Sequence, residues 1–278
     1  VHCRTFQREA CLIKTAYVLT RDRQRGAQIA AIVTRFGFGH LLAGIPIPTD
    51  VVPRQPTPER ARAALQELGP TFVKLGQILA TRGDLFPPEW VAEFEKLQDD
   101  AAVVDAGIMI PRLNEALGQP ADEVFESFDE KPIAAASIGQ VYAARLHDGR
   151  DIVLKLRRPG IRKQMEADLR ILAHIAELAE QNLPDVRRYR PREIVRLLSN
   201  ALLEELDFTV EARNTETLAD AFAQDPNIVV PAIHWPFTSE RLLVQDRLSG
   251  VPVSDAAALC ASGLDRALIA RRGAEAFL

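Results

Sequence analysis

An α+β fold is what this sequence predicts: a helical N-terminal region, then an antiparallel sheet interrupted by a helix pair, then helices again. Three observations carry that expectation. Apolar and polar residues alternate with period two in "IAAAS" (133–137), "GQVYAARL" (139–146) and "RDIVLKLRR" (150–158), the periodicity of half-buried strands. Stretches on either side repeat their apolar residues at the helical period. Proline-rich and glycine-containing segments punctuate the boundaries.

Taken in order, residues 1–45 read as helical, basic and weakly amphipathic. "PIPTDVVPRQPTPER" (46–60) carries five prolines and is expected to be an extended linker, because proline disrupts helix interiors. Thr57-Pro58-Glu59 then offers an N-cap followed by proline at the first helical position. Helices are expected over 58–68, 70–82, 87–98 and 108–117, with a short one in the acidic stretch 121–128 after Pro120. The strands follow from residue 130, and His147-Asp148-Gly149-Arg150 supplies a hairpin turn. Helical periodicity returns over 160–183 and 191–224. "NIVVPAIH" (227–234) and "ERLLVQDRL" (240–248) read as two further strands, and the chain is helical after Ser249-Gly250. These segments divide the chain into a helical N-terminal segment with its linker (1–54), a helical extension (55–129), a sheet-bearing lobe (130–250) and the start of a helical lobe (251–278).

Composition limits the functional classes. A chain of 278 residues with 47% hydrophobic and 26% charged residues is long enough for one large core or two smaller ones. The formal charge of −4 argues against a dominant nucleic-acid surface, and the arginine clusters at 21–25, 157–163 and 187–192 are flanked by acidic segments. Cys3, Cys11 and Cys260 have neither metal-ligand nor redox spacing and fit inert thiols in a reducing compartment. The most apolar stretch, 29–47, is interrupted by Arg35, His40 and Pro46, so it does not read as membrane-spanning; lying on a membrane stays open.

Three motifs carry chemistry. The kinase loop pattern G-x-G-x-x-G-x-V can be laid on Ala134-Ala135-Ala136-Ser137-Ile138-Gly139-Gln140-Val141, where only the last Gly and the Val match. Lys155 follows on the next strand. Ile152, Leu154 and Leu156 occupy one face of it, so Val153 and Lys155 share the other and could set an apolar contact beside a base and a cation near phosphates. Pattern alone favours a surface hairpin with an exposed lysine. A second feature shifts that balance: "NALLEELDFTVEARN" (200–214) places Glu211 in a helix between Lys155 and a later strand, the ion-pair order of a protein-kinase-like N-lobe. The third is "GPTFVKLGQILATRGDLFPPEW" (69–90), with Phe72, Leu75 and Leu79 as a core stripe and Lys74, Gln77 and Thr81 as a polar stripe that, taken alone, faces solvent.

These motifs together resemble the UbiB-type atypical kinases, a family associated with ubiquinone biosynthesis. "FVKLGQILATRGDLFP" looks like that family's K-x-G-Q motif, "PIAAASIGQVY" like its alanine-rich loop, and "EELDFTVEARN" like its E-x-D motif and αC helix, in family order over residues 55–278. The resemblance implies a phosphotransferase-like atypical kinase or ATPase that uses ATP or ADP with Mg²⁺, peripheral to the cytoplasmic face of a membrane. It implies that Ala134, Ala135, Ala136, Ser137, Gly139, Val141, Val153 and Lys155 bind the nucleotide and that Lys155 and Glu211 form the catalytic pair. By the same resemblance Lys74, Gly76 and Gln77 form a regulatory element, Lys74 reaching towards Glu205 and Asp207. Expected partners are adenine nucleotide, membrane lipid or quinone precursors, and other ubiquinone-biosynthesis proteins, but no nucleic acid. Alanine Cβ atoms disfavour positive φ and close backbone approach to phosphates, so the loop is expected to be stiffer than a glycine loop.

Three departures qualify the resemblance. Glu205 and Asp207 project about 200° apart in a regular helix, so both meet Lys74 only if the helix is distorted or one has another partner. Gln245 and Asp246 stand where the family shows Met and Glu. Neither the family's His-Ala-Asp-Pro-His-Pro-Gly-Asn-like catalytic loop nor its Asp-Phe-Gly-like motif is present, and His147-Asp148-Gly149 is a turn signal only. The chain therefore reads as an inactive fragment that stops before the catalytic loop, with metal ligands expected beyond residue 278. The rival reading is a nucleotide-sensing or lipid-binding accessory module without chemistry.

Overall fold

The computed structural model describes residues 21–38, 57–97, 101–182 and 184–277. Residues 1–20 and 39–45 of the stretch expected to be helical over 1–45, the linker prolines before Thr57, and Cys3 and Cys11 lie outside the described residues. The α+β architecture expected from the sequence is the one observed.

The described N-terminal helices are α1 (Arg23–Arg35), α2 (Pro58–Leu68), α3 (Pro70–Ala80) and α4 (Pro88–Phe94). Thr57 caps α2 by accepting from the Arg60 amide, and Pro58 occupies the first turn, where its missing N–H costs nothing. Ile29 and Ile32 of α1 meet Ala64, Leu68 and Phe72 in one buried cluster, while Ala61, Val73, Phe94 and Leu97 form a second.

After α5 (Ala106–Leu117) and α6 (Ala121–Val124) come β1 (Phe125–Phe128), β2 (Ala134–Ala135), β3 (Gly139–Leu146), β4 (Asp151–Arg157) and, much later, β5 (Leu242–Asp246). All pair antiparallel in the order β1-β3-β4-β5, with β2 on β3. One face, with Tyr142, Ala144, Ile152, Leu154 and Val244, packs on Met109 and Leu113 of α5. Ile152 and Leu154 are fully buried, as the period-two reading requires.

Between β4 and β5 the chain forms α7 (Ile161–Asn182), α8 (Pro191–Glu205) and α9 (Phe208–Ala221). Met165, Leu198, Leu202, Phe208 and Ala212 of these helices, with Leu206 between α8 and α9, cluster with Leu243 and Ile138 on the other side of the sheet. The helices α10 (Ala256–Ala261) and α11 (Arg266–Phe277) follow β5.

Several sequence expectations are corrected. Residues 125–128 are a strand, not helix: a bulge between Phe125 and Ser127 lets both phenylalanines reach the aromatic core, with Phe128 and Tyr142 ring centroids 5.5 Å apart. The expected strand over 133–137 shrinks to Ala134–Ala135. Residues 227–234 form no strand. Val229 is 69% exposed, Pro231 has no N–H to give, and only Ile233 bridges to Gln245. The single helical run over 191–224 is two helices. Asp207 leaves the helical region at φ −114°, ψ 97°, and its carboxylate accepts from the Thr209 amide and hydroxyl at 3.0 and 2.7 Å. Arg157 donates to the Leu206 carbonyl and the Phe208 amide donates to Glu240, so both sides of the break find partners.

Candidate nucleotide-binding site

The register of β3 on β4 sets Val141 opposite Lys155 and Ala143 opposite Val153, and β5 sets Leu243 and Gln245 beside them. Val141, Val153 and Lys155 are therefore on the sheet face away from the α5 core, and all three are partly buried. Glu211 lies in the first turn of α9, which packs on that face. Lys155 Nζ donates to Glu211 Oε2 at 2.7 Å. The same ammonium lies 4.9 Å from the centroid of the buried Phe208 ring, a cation–π contact. Phe208 was not anticipated; its signal was its place three residues before Glu211, on the same face of the helix.

The alanine-rich loop folds back on β3. Ala134 pairs with Val141 and Ala135 with Gln140, and the Ala136 amide donates to the Gly139 carbonyl at 2.9 Å. None of Ala134, Ala135, Ala136 or Ser137 has positive φ, so the loop uses backbone geometry that alanine adopts without strain. Gly139 is different: a Cβ there would lie 2.9 Å from the Leu156 carbonyl oxygen and 3.3 Å from Phe208, so the strand approaches its neighbours too closely for a side chain. Gly139 thus seats the loop end against the ring that flanks Lys155.

The K-x-G-Q segment is on α3. Lys74 forms an ion pair with Glu205 at the end of α8, with side chains 27% and 36% exposed, so it is not on a free solvent face. Gly76 lies beneath Leu97 and Leu65, and Gln77 donates to the Leu97 carbonyl at 3.2 Å. The structure separates the two acidic residues of E-x-D. Glu205 meets Lys74, but Asp207 is the N-cap of α9, because the helix breaks between them. Asp207→Ala should cost about 1 kcal/mol of stability, the usual worth of a cap, and Asp207→Ser should recover most of it. Urea denaturation of the two variants measures this; equal losses in both would overturn it.

At the other edge, Asp246 Oδ1 accepts from His234 Nε2 at 2.8 Å, while Gln245 stands opposite Val153. Two further residues brace the loop and were not foreseen: Arg158, which reaches the Ala136 and Ala102 carbonyls, and the fully buried Gln140, which bonds Val104. Among the described residues no group of three or more His, Cys, Asp or Glu could hold a metal ion.

An antiparallel sheet whose strand lysine pairs with a glutamate in the helix packed against it defines a protein-kinase-like N-lobe. Residues 96–278 match the ABC1 atypical kinase-like domain, and the chain belongs to that family. It is 42% identical over 226 residues to a probable protein kinase UbiB of Aliivibrio fischeri (strain MJ11), covering 81% of this chain and 42% of that protein. It is 42% identical over 220 residues to the probable protein kinase UbiB of Vibrio cholerae serotype O1 (strain M66-2), covering 79% and 40%. The chain thus spans less than half the length of these relatives. A solved structure of Rv3197 with erythromycin, from Mycobacterium tuberculosis, aligns at 29% identity and a TM-score of 0.49 over 69% of this chain and 48% of that one.

Proposed function

We propose that this chain carries the nucleotide-binding half of the site of a UbiB-type atypical kinase or ATPase that supports ubiquinone biosynthesis. The observation that carries the reading is the 2.7 Å Lys155–Glu211 pair beside a partly buried apolar strip. An adenine nucleotide fits that surface: Val141 and Val153 offer contacts to a base, Lys155 a cation for phosphates, and Glu211 holds the lysine in place. Ala134, Ala135, Ala136, Ser137 and Gly139 would cover the phosphates. Mg²⁺, when bound with the nucleotide, neutralises phosphate charge. Lys74, Gly76, Gln77 and Glu205 are assigned a regulatory role: the Lys74–Glu205 pair ties the helical extension to the helix that leads into α9, and Gly76 and Gln77 hold the helix of Lys74 against Leu97. Asp207 supports that role through its cap. Membrane lipid, quinone precursors and other ubiquinone-biosynthesis proteins are the proposed partners, at a membrane surface. Among the described residues no helix is long and apolar enough to cross one.

Titration of the purified chain with fluorescent ADP and ATP, followed by phosphate release with Mg-ATP, tests this. Weak saturable binding is expected, weakened about 30-fold in Lys155→Ala. Phosphate release should stay at background, because residues 1–278 contain neither catalytic-loop motif and positioning carries nearly all of this chemistry. Absence of saturable binding would refute the nucleotide assignment. Turnover that disappears in Lys155→Ala would refute the assignment of the chemistry to other residues.

A further inference from the structure

The alanine-rich loop is held by one side chain that no motif contains. Arg158 follows β4 directly, and its backbone amide donates to the Ile138 carbonyl at 2.8 Å. Its Nε donates to the Ala136 carbonyl at 2.8 Å and its Nη2 to the Ala102 carbonyl at 2.7 Å. One planar guanidinium therefore joins the loop to a second segment, residues 101–104. That segment lies along the loop. The Ala101 amide donates to Ala135 at 3.4 Å, and Val104 bonds Gln140 through both its amide and its carbonyl. Gln140 is fully buried and also donates to the Tyr142 hydroxyl at 2.6 Å. A buried amide with three hydrogen bonds and an arginine with three carbonyl-directed contacts make a built clamp.

We propose that Arg158 is a positioning residue: it straps residues 101–104 across the alanine-rich loop and holds that loop in the geometry that receives an adenine nucleotide. The nucleotide part of this proposal rests on the function proposed above. A glycine loop orders itself on its ligand. This loop is ordered beforehand, its Ala136 carbonyl turned to Arg158 and so unable to face phosphates. Preorganisation of this kind improves affinity by removing the ordering cost at binding. Lysine is a poor substitute, because a single ammonium lacks the fork that reaches two carbonyls in different segments.

Hydrogen exchange and nucleotide titration of the 278-residue chain test the proposal. In Arg158→Ala the amides of Val104 and Ala136 should exchange at least tenfold faster, with thermal unfolding close to wild type, and nucleotide should bind about tenfold more weakly. Arg158→Lys should fall between the two. Arg145→Ala, which removes an exposed pair with Asp151 on the same hairpin, should change neither readout. If Arg158→Ala does not fold, Arg158→Lys and Gln140→Met carry the test, each expected to speed exchange at Val104. Unchanged exchange at both amides in a folded Arg158 variant overturns the clamp, whether or not the wild type binds nucleotide. Faster exchange with unchanged affinity overturns the positioning role. Faster exchange in a chain whose wild type binds no nucleotide supports the clamp and refutes the nucleotide reading instead.

Discussion

Arg25→Ala should destabilise the chain by about 3–5 kcal/mol, the typical cost of leaving a buried charge without its partner. Asp168 of α7 is fully buried, and Arg25 of α1 grips both its carboxylate oxygens, at 2.6 and 3.0 Å, while also donating to the Leu68 carbonyl. Burial pushes the Asp168 carboxyl above its ordinary value of 3.8, and Arg25 pulls it part of the way back. The sign follows from that direction. A carboxyl with a raised folded pKa contributes stability that is fully present below 3.8 and is lost as pH rises through the folded value. Removing Arg25 takes away the downward pull, so the folded value rises further and the loss extends to higher pH. The deficit of Arg25→Ala relative to wild type should therefore be largest near neutrality and shrink on acidification. Arg25→Met with Asp168→Leu should restore most of the stability, since an apolar pair of similar volume leaves no charge to solvate. Denaturant unfolding at several pH values measures all three. A loss under about 1 kcal/mol at neutral pH, of the size of a surface pair, would show that α1 is not anchored here.

Lys155→Ala should weaken nucleotide binding about 30-fold, or about 2 kcal/mol, the scale of a hydrogen bond to a charged group. Its effect on folding should be small, about 0–1 kcal/mol, because the Lys155 and Glu211 side chains are 30% and 43% exposed and water screens the pair. The split between the two readouts separates a ligand-facing lysine from a structural one. Glu211→Gln should weaken binding less, since it frees the lysine without removing it, and the double variant should lose less than the sum of the two. Wild-type affinity in Lys155→Ala would remove Lys155 from the site.

The hairpin that carries Lys155 was legible because a strand's faces are written in its period. Ile152, Leu154 and Leu156 had to share a face, which left Val153 and Lys155 on the other. The pairing of Lys155 with Glu211 was legible only through element order, since 56 residues separate them. Lys74 shows the limit. Its polar stripe reads as solvent-facing until α8 is packed beside α3, when Glu205 meets it. Arg158 carried no signal at all: nothing local in "KLRRPG" says which carbonyls its guanidinium will find.

The sequence by itself determined the α+β class, the hairpin and its turn at Gly149, the faces of β3 and β4, and the family. Each is encoded in neighbouring residues through periodicity, turn chemistry or motif. The tertiary structure alone decided where the helical run over 191–224 breaks. Asp207 and Thr209 can end a helix or sit within one, and the break stands because Arg157 from β4 takes the Leu206 carbonyl and Glu240 takes the Phe208 amide. It likewise decided that 101–104 straps the loop, and that Arg25 answers Asp168 across 143 residues. Such contacts join groups far apart along the chain, and their partners are chosen only when the packed helices and sheet bring buried polar atoms together and leave each one needing a mate.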